Sequence, residues 1–196
     1  MLLSLARSLN LPLLGVCAPE LIKQEGTLWR GLPILGNDDV LADYSPDEVN
    51  LINGIGPVVG RSARRDVYEK MRHRGFLFPP LIHPRAIVDE DVCLADGVQI
   101  MAGCVIQANC HIGANSLVNT SSSVDHDSNV GAHVHIAPGV TLCGNVTIGA
   151  GTFVAAGAIV APGIIVGENA VVGAGVALVR DLSTGKTLLG AKPQNK

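Results

Sequence analysis

From Ile82 to Leu178 an aliphatic residue stands at every sixth position. The series runs Ile82, Val88, Leu94, Ile100, Ile106, Ile112, Val118, Val124, Val130, Ile136, Leu142, Ile148, Val154, Val160, Val166, Val172 and Leu178, seventeen occurrences without a slip. A helix repeats its faces every 3.6 residues and a strand every 2, so neither period alone produces an interval of six. A strict six-residue repeat is the mark of a parallel β-helix, a solenoid whose units bury their apolar faces only by stacking on one another. The residue after the aliphatic one is often glycine (Gly113, Gly131, Gly149, Gly167, Gly173), expected here to supply the positive φ of a sharp corner. Four residues after it the side chain is usually small (Cys104, Cys110, Ser116, Ser122, Ser128, Thr152, Ala158, Ala170). Large and small positions in fixed phase suit the inside of a narrow prism. The unbroken count leaves no room for an inserted loop.

Residues 1–80 follow a different grammar. "PLLGVCA" reads as a short apolar strand, "DDVLADY" as a short helical piece and "EVNLINGIG" as a strand running into glycines. "SARRDVYEKMRHRG" reads as a helix stopped by Gly75, and "FLFPPLI" as an extended return. Alternating strands and helices predict a small parallel sheet. The opening residues carry an apolar stretch, but Pro12 interrupts it and no small-x-small cleavage site follows cleanly. Leu2, Leu5, Ala6 and Leu9 are spaced for a short amphipathic helix instead of a secretory signal. No run reaches the roughly 18 apolar residues of a membrane span.

Net charge is −3 and aromatics are 3% of residues, so neither a basic field nor stacking platforms point to nucleic acid. The five cysteines include no C-x-x-C pair, which fits reduced thiols in a cytoplasm. The chemistry concentrates in "SSSVDHDSNVGAHVHIAPG", residues 121–139, where three histidines stand among serines, glycines and acids. A histidine beside an aspartate can be a general base. Three histidines can hold zinc. They can also be ordinary surface, and the residues by themselves leave the three readings open.

The stretch "NTSSSVDHDSNVGAHVHIAPGVTLCGNVTIGAGTFVAAGAIV" resembles the central motif of the bacterial hexapeptide-repeat sugar O/N-acetyltransferases, the group of sialic acid O-acetyltransferases and UDP-4-amino-sugar (bacillosamine-type) N-acetyltransferases. The resemblance implies a left-handed parallel β-helix, three hexads to a coil, preceded by a Rossmann-like α/β domain and assembled as a homotrimer. It divides the chain into a sugar-nucleotide-binding-like domain at 1–80, a β-helix at 81–180 and a tail at 181–196. It implies acetyl-CoA as co-substrate, a sugar or sugar-nucleotide acceptor and no metal. His126 takes the place of the catalytic base and Asp127 that of the acid raising its basicity. Asn119, His135, Gly144, Ala156 and Ala174 fall where the family lines its acetyl-CoA groove. Gly54 and Gly56, in "NGIG", align with a strand end beside the sugar nucleotide.

With coils of 18 residues, Ala108 lies beneath His126 and Gly144 above it, leaving the imidazole free space. Asn109 and Asn145 flank Asp127. His111, His133 and His135 do not match the zinc pattern of γ-class carbonic anhydrases on the same fold. Arg85 is the only Lys or Arg from Ile82 to Leu178, against seven acids. Positive charge for coenzyme A phosphates would therefore come from Lys186 and Lys192, unless these are only solubilising. Arg61, Arg64 and Arg65 could meet a diphosphate, but a solvated helix face is expected for them. The chain departs from the family by lacking its glycine-rich phosphate turn, since it opens inside the helix that should follow. Cys17 and Ala18 stand where the family has an acidic pair. Two rival readings follow: a non-catalytic relative that keeps the trimeric β-helix, and an acetyltransferase of a small free acceptor.

Overall fold

The computed structural model of the chain describes residues 1–22 and 27–190. Each of the seventeen aliphatic positions is the second residue of a two-residue strand. Successive strands belong to three different sheets, and each pairs in parallel with the strand one coil away: Leu117 with His135 and Val118 with Ile136, for example. The result is a left-handed three-sided prism. Its first face runs from Leu81–Ile82 through Leu117–Val118 and His135–Ile136 to Thr187–Leu188. Its second face includes Ser123–Val124 and Thr141–Leu142, and its third Asn129–Val130 and Thr147–Ile148.

The aliphatic positions from Ile100 to Leu178 point inward and are almost completely buried. Each such side chain contributes about 1.5–3 kcal/mol by leaving water, so the prism's stability is spread evenly along its axis. The small phase is buried as well, and its hydroxyls are hydrogen-bonded, as buried polar groups must be. Ser116 Oγ donates to the Gly131 carbonyl at 2.9 Å and accepts from the Val134 N–H at 2.9 Å. Ser128, two hexads further on, and Thr152, two coils further on, repeat the arrangement.

The corners correct one expectation. The glycines that follow the aliphatic positions do not have positive φ. They are needed because a Cβ on Gly113 would lie 2.5 Å from the Ala132 nitrogen in the next coil. Positive φ falls at the third residue after each aliphatic position, at every hexad from Gly97 to Gly175. Asn109, Asn115, Ser121, Asp127, His133, Asn145 and Asn169 share that role with glycines, since short polar side chains tolerate the left-handed conformation. Beyond Leu178 the coil closes with a shortened turn: Leu182 bridges to Val166, and Thr187–Leu188 pairs with Val171–Val172. The segment expected as a tail thus extends the first face.

The N-terminal region comprises α1 (Leu2–Ser8), β1 (Val16–Cys17), α2 (Pro19–Ile22), β2 (Leu28–Trp29), β3 (Leu32–Gly36), a 3-10 turn (Asp38–Asp43) and α3 (Ala63–His73). Its sheet is mixed, where a parallel one was expected: β1 joins β3 in parallel, and β2 joins β3 antiparallel through a hairpin turn at Arg30 and Gly31, both with positive φ. The strand expected over "EVNLINGIG" is absent. That segment is held extended by a backbone bond from the Leu51 N–H to the Leu77 carbonyl, 2.9 Å. Helix α1 buries Leu5 and Ala6, and Leu5 joins the core of the prism. Helix α3 buries Arg64, Tyr68 and Met71, and Tyr68 and Met71 form a second small core with Leu41, Phe76 and Phe78. Gly75, at φ +92°, ends the last turn.

Candidate active site

His126 and Asp127 occupy the corner between the second and third faces. Asp127 is the left-handed corner residue, φ +59°. Its Oδ2 lies 2.8 Å from His126 Nδ1, and its Oδ1 accepts from Asn109 Nδ2, one coil below, at 3.2 Å. The His126 backbone N–H is fixed by Asp125 Oδ1 at 2.9 Å. Asn145 makes no hydrogen bond to Asp127 among the described residues. The ring lies against Gly144, where a Cβ would be 2.7 Å from His126 Nε2, so glycine is the residue that lets the imidazole take this place.

Hydrogen bonding to Asp127, with a further push from Asp125, raises the His126 pKa above its ordinary value, and the same bond, with Asn109, lowers that of Asp127. Both side chains remain exposed. With Nδ1 committed to the carboxylate, a neutral ring carries its proton there and keeps the lone pair on Nε2. A groove of about 160 Å³ on the second face, lined by Ser123, Asp125, Thr141 and Cys143, adjoins this corner.

His135 has the opposite surroundings. It opens a strand on the first face and is only 8% exposed. Its ring meets Phe153 edge-on at 4.7 Å, and Nε2 lies 3.5 Å from Asn119 Nδ2. Burial, helped by the charge of Arg64, lowers its pKa to about 4. The first face is the side of the prism opposite the His126 corner, so one chain does not bring the two histidines together.

The other expected cofactor residues divide the same way. Gly144 sits with His126, while Asn119, Ala156 and Ala174 line the corner between the first and second faces. The backbone N–H groups of Gly144, Ala156 and Ala174 make no hydrogen bond among the described residues. Gly54 and Gly56 lie in an exposed segment with ordinary φ, and a Cβ on Gly56 would meet nothing within 4 Å. Lys186 is exposed, and Lys192 lies outside the described residues.

Arg64 overturns the expectation of a solvated face. It is 8% exposed and joins the two parts of the chain. Its Nη1 donates to the carbonyls of Asn53 (3.0 Å) and Ile55 (2.9 Å), and its Nε to that of Asn115 (3.4 Å). Asn53 Nδ2 donates to Asn115 Oδ1 at 3.2 Å, and Gln99 Nε2 to the Asn53 carbonyl at 3.0 Å. Gln99 and Asn115 were missed, and Asn53 and Arg64 were singled out without this junction being foreseen. For Arg64 the signal existed: it stands on the helical stripe of Tyr68 and Met71, the buried side of α3. His133 is a left-handed corner residue against Tyr68 and Asn115. His111 is exposed on the third face, so the three histidines weighed for zinc occupy separate places.

The comparisons agree with this architecture. Residues 145–180 match the model described as bacterial transferase hexapeptide (six repeats), and residues 123–156 match the hexapeptide repeat of succinyl-transferase. No match is found among curated proteins. Among solved structures, perosamine N-acetyltransferase from Caulobacter crescentus, a histidine-to-asparagine mutant in complex with CoA and GDP-perosamine, is 31% identical over 96% of this chain and 87% of its own, with a TM-score of 0.84. The acetyltransferase domain of PglB from Neisseria gonorrhoeae, in complex with acetyl coenzyme A, is 31% identical over 95% and 88%, with a TM-score of 0.86. WeeI from Acinetobacter baumannii, 19% identical over 96% and 90%, shares the fold at a TM-score of 0.70.

Fold and repeat together define a hexapeptide-repeat acyltransferase. More narrowly, the chain belongs to the family of hexapeptide-repeat sugar acetyltransferases.

Proposed function

We propose that the chain transfers the acetyl group of acetyl-CoA directly to an amino or hydroxyl group of a nucleotide-linked sugar, with His126 as general base and Asp127 as its partner. The observation that carries the reading is the His126 Nδ1–Asp127 Oδ2 pair at 2.8 Å on an exposed corner cleared by Gly144. An acceptor ammonium cannot attack a thioester. His126 Nε2 removes a proton as the nitrogen or oxygen attacks, so that a C–N or C–O bond forms, the C–S bond breaks, and the proton leaves with the thiol. The free N–H groups at the Gly144, Ala156 and Ala174 corners suit a carbonyl oxygen that gains charge. Acetyl-CoA supplies the thioester, with Asn119, His135, Gly144, Ala156 and Ala174 as its lining. Gly54 and Gly56 are assigned to the acceptor side. Relatives in complex with CoA and with GDP-perosamine support both substrate classes.

The separation of His126 from His135 within one chain supports a homotrimer, in which the corner of one copy meets the first face of the next. Five free cysteines, of which Cys104 and Cys110 are buried with raised pKa, support a reducing cytoplasm.

Thiol release from acetyl-CoA, followed with GDP- and UDP-linked amino sugars and with the free sugars, tests the reading. Nucleotide-linked acceptors should drive release that His126→Ala abolishes. Release only with free sugars would move the acceptor class, and acetyl-CoA binding without release in any mixture would leave a non-catalytic relative.

A further inference from the structure

The Asp127 side chain is exposed, and the torsion that orients a carboxylate is soft. A contact to one neighbour therefore does not by itself fix its aim. Here both oxygens are engaged. Oδ2 lies 2.8 Å from His126 Nδ1, and Oδ1 accepts from Asn109 Nδ2 at 3.2 Å. A carboxylate held at both oxygens has its plane and its direction determined together.

The backbone makes the second bond possible. Asn109 and Asp127 fill the same corner phase one coil apart, with nearly the same left-handed torsion, φ +58° and +59°. The Asp127 N–H donates to the Ala108 carbonyl at 3.1 Å, which ties the two coils together at this corner. Equivalent residues stacked in this way project in parallel, so the amide of the lower meets the carboxylate of the upper. Read upward, the corner carries Asp91, Asn109, Asp127 and Asn145. An amide thus separates the two acids, and no like charge stands directly beneath Asp127.

Stacking alone does not account for the contact. Asn145 occupies the same phase one coil above, at φ +57°, and its side chain makes no hydrogen bond among the described residues. Of the two amides, the lower one is turned to Asp127. Bonding to His126, and next to Asn109, lowers the Asp127 pKa, so the amide also favours the charged form that holds the ring.

We infer that Asn109 is a positioning residue: it aims the Asp127 carboxylate at His126, so that the ring is held by a series of three side chains. Its effect on rate rests on the proposed function; the series itself does not.

A glycine at 109 isolates the amide. Glycine fills this corner phase elsewhere, at Gly103 and Gly139 for example, so Asn109→Gly keeps the backbone and removes the side chain. At so exposed a place water replaces the amide as donor. The carboxylate then keeps its charge and loses its direction. His126 feels Asp127 through the hydrogen bond and Asp125 through its charge. Its stacked neighbours Ala108 and Gly144 carry none.

Nuclear magnetic resonance titration of the histidine rings, with the His126 signal assigned by its loss in His126→Ala, reads that pKa without any substrate. Asn109→Gly should lower it relative to the wild type. The same change added to Asp127→Asn should shift it no further, because Asn109 acts only through Asp127. Asn145→Gly should leave it at the wild-type value. In turnover with acetyl-CoA, Asn109→Gly should lower kcat by about three- to tenfold, the worth of one hydrogen bond, and leave the acetyl-CoA KM unchanged. An unshifted His126 in Asn109→Gly, an equal shift with and without the Asp127 carboxylate, an equal shift from Asn145→Gly, or an unchanged kcat in an active chain overturns the inference. The expected shifts in a wild-type chain that transfers no acetyl group would refute the function and leave the series of three standing.

Discussion

The corner that carries His126 and the face that carries His135 are built from the same hexad, yet they treat the same side chain in opposite ways. At the corner the ring is exposed, its Nδ1 held by a carboxylate, and its pKa rises. On the face the ring is buried between Phe153 and Asn119, near a guanidinium, and its pKa falls to about 4. One histidine is prepared to take a proton, the other to stay neutral. The phase of the residue within the repeat decides which: the second position after the aliphatic one projects at a corner, while the first residue of a strand lies flat on a face that the N-terminal region covers.

The sharpest break in this comparison is removal of the proposed base. His126→Ala should lower kcat by about 10²–10⁴-fold, the usual worth of a positioned base, while steady-state kinetics leave the KM for acetyl-CoA nearly unchanged. His135→Ala should do the reverse, raising that KM more than it lowers kcat. A large kcat loss from His135→Ala together with a small one from His126→Ala would exchange their roles.

Next in size is Gly144→Ala. The new Cβ would meet the imidazole at 2.7 Å and turn the ring from its place, a misplacement able to cost about 10²-fold in kcat. The thermal midpoint should stay within a few degrees, since the group that must give way is the exposed His126 ring. If kcat is untouched, the ring is not held as described.

Asp127→Asn keeps the shape of the corner and removes its charge. It should cost about tenfold in kcat, less than loss of the base itself. The sign of the pH effect follows from the bond. Asp127 raises the His126 pKa, so its loss should move the rising limb of the rate profile to lower pH. A limb that stays in place would mean another group titrates.

The smallest effect separates the two histidines by stability instead of rate. The folded pKa of His135 lies below that of the unfolded chain, so the unfolded state binds more protons between about 6.5 and about 4. The folded chain should lose stability as pH falls through that window, by on the order of 3 kcal/mol at its end. Denaturant melts of His135→Phe should show a flatter acid limb than the wild type. His126 has the opposite sign, and its variant should leave the acid limb at least as steep.

The prism was legible because a period of six over seventeen hexads leaves almost no alternative. The work of its glycines was not, because two different demands both select glycine. Clearance under the next coil and positive φ at the corner fall two residues apart, and the corner phase is shared with Asn, Asp, Ser and His. His126, Asp127 and Gly144 could be placed together from coil length alone. Arg64 could not be given its environment from charge, since an arginine in "SARRD" looks solvated; only its alignment with Tyr68 and Met71 betrayed the buried side. The hairpin of β2 and β3 was missed because strands of two and five residues around an Arg-Gly turn carry too few residues to show a period.

The uninterrupted hexads give the chain an angular address system. Removing one hexad from the upper prism would leave every aliphatic position in phase, because each face presents the same kind of residue inward. Everything above the cut would nevertheless turn by one face. Ala156 and Ala174 would leave the corner they share with Asn119, while His126 and Gly144 kept theirs if the cut lay above them. Removing three hexads would shorten the prism by one storey and restore every bearing. Length changes in such a chain are therefore read as rotations: most preserve the fold and scramble the chemistry, and only whole coils preserve both.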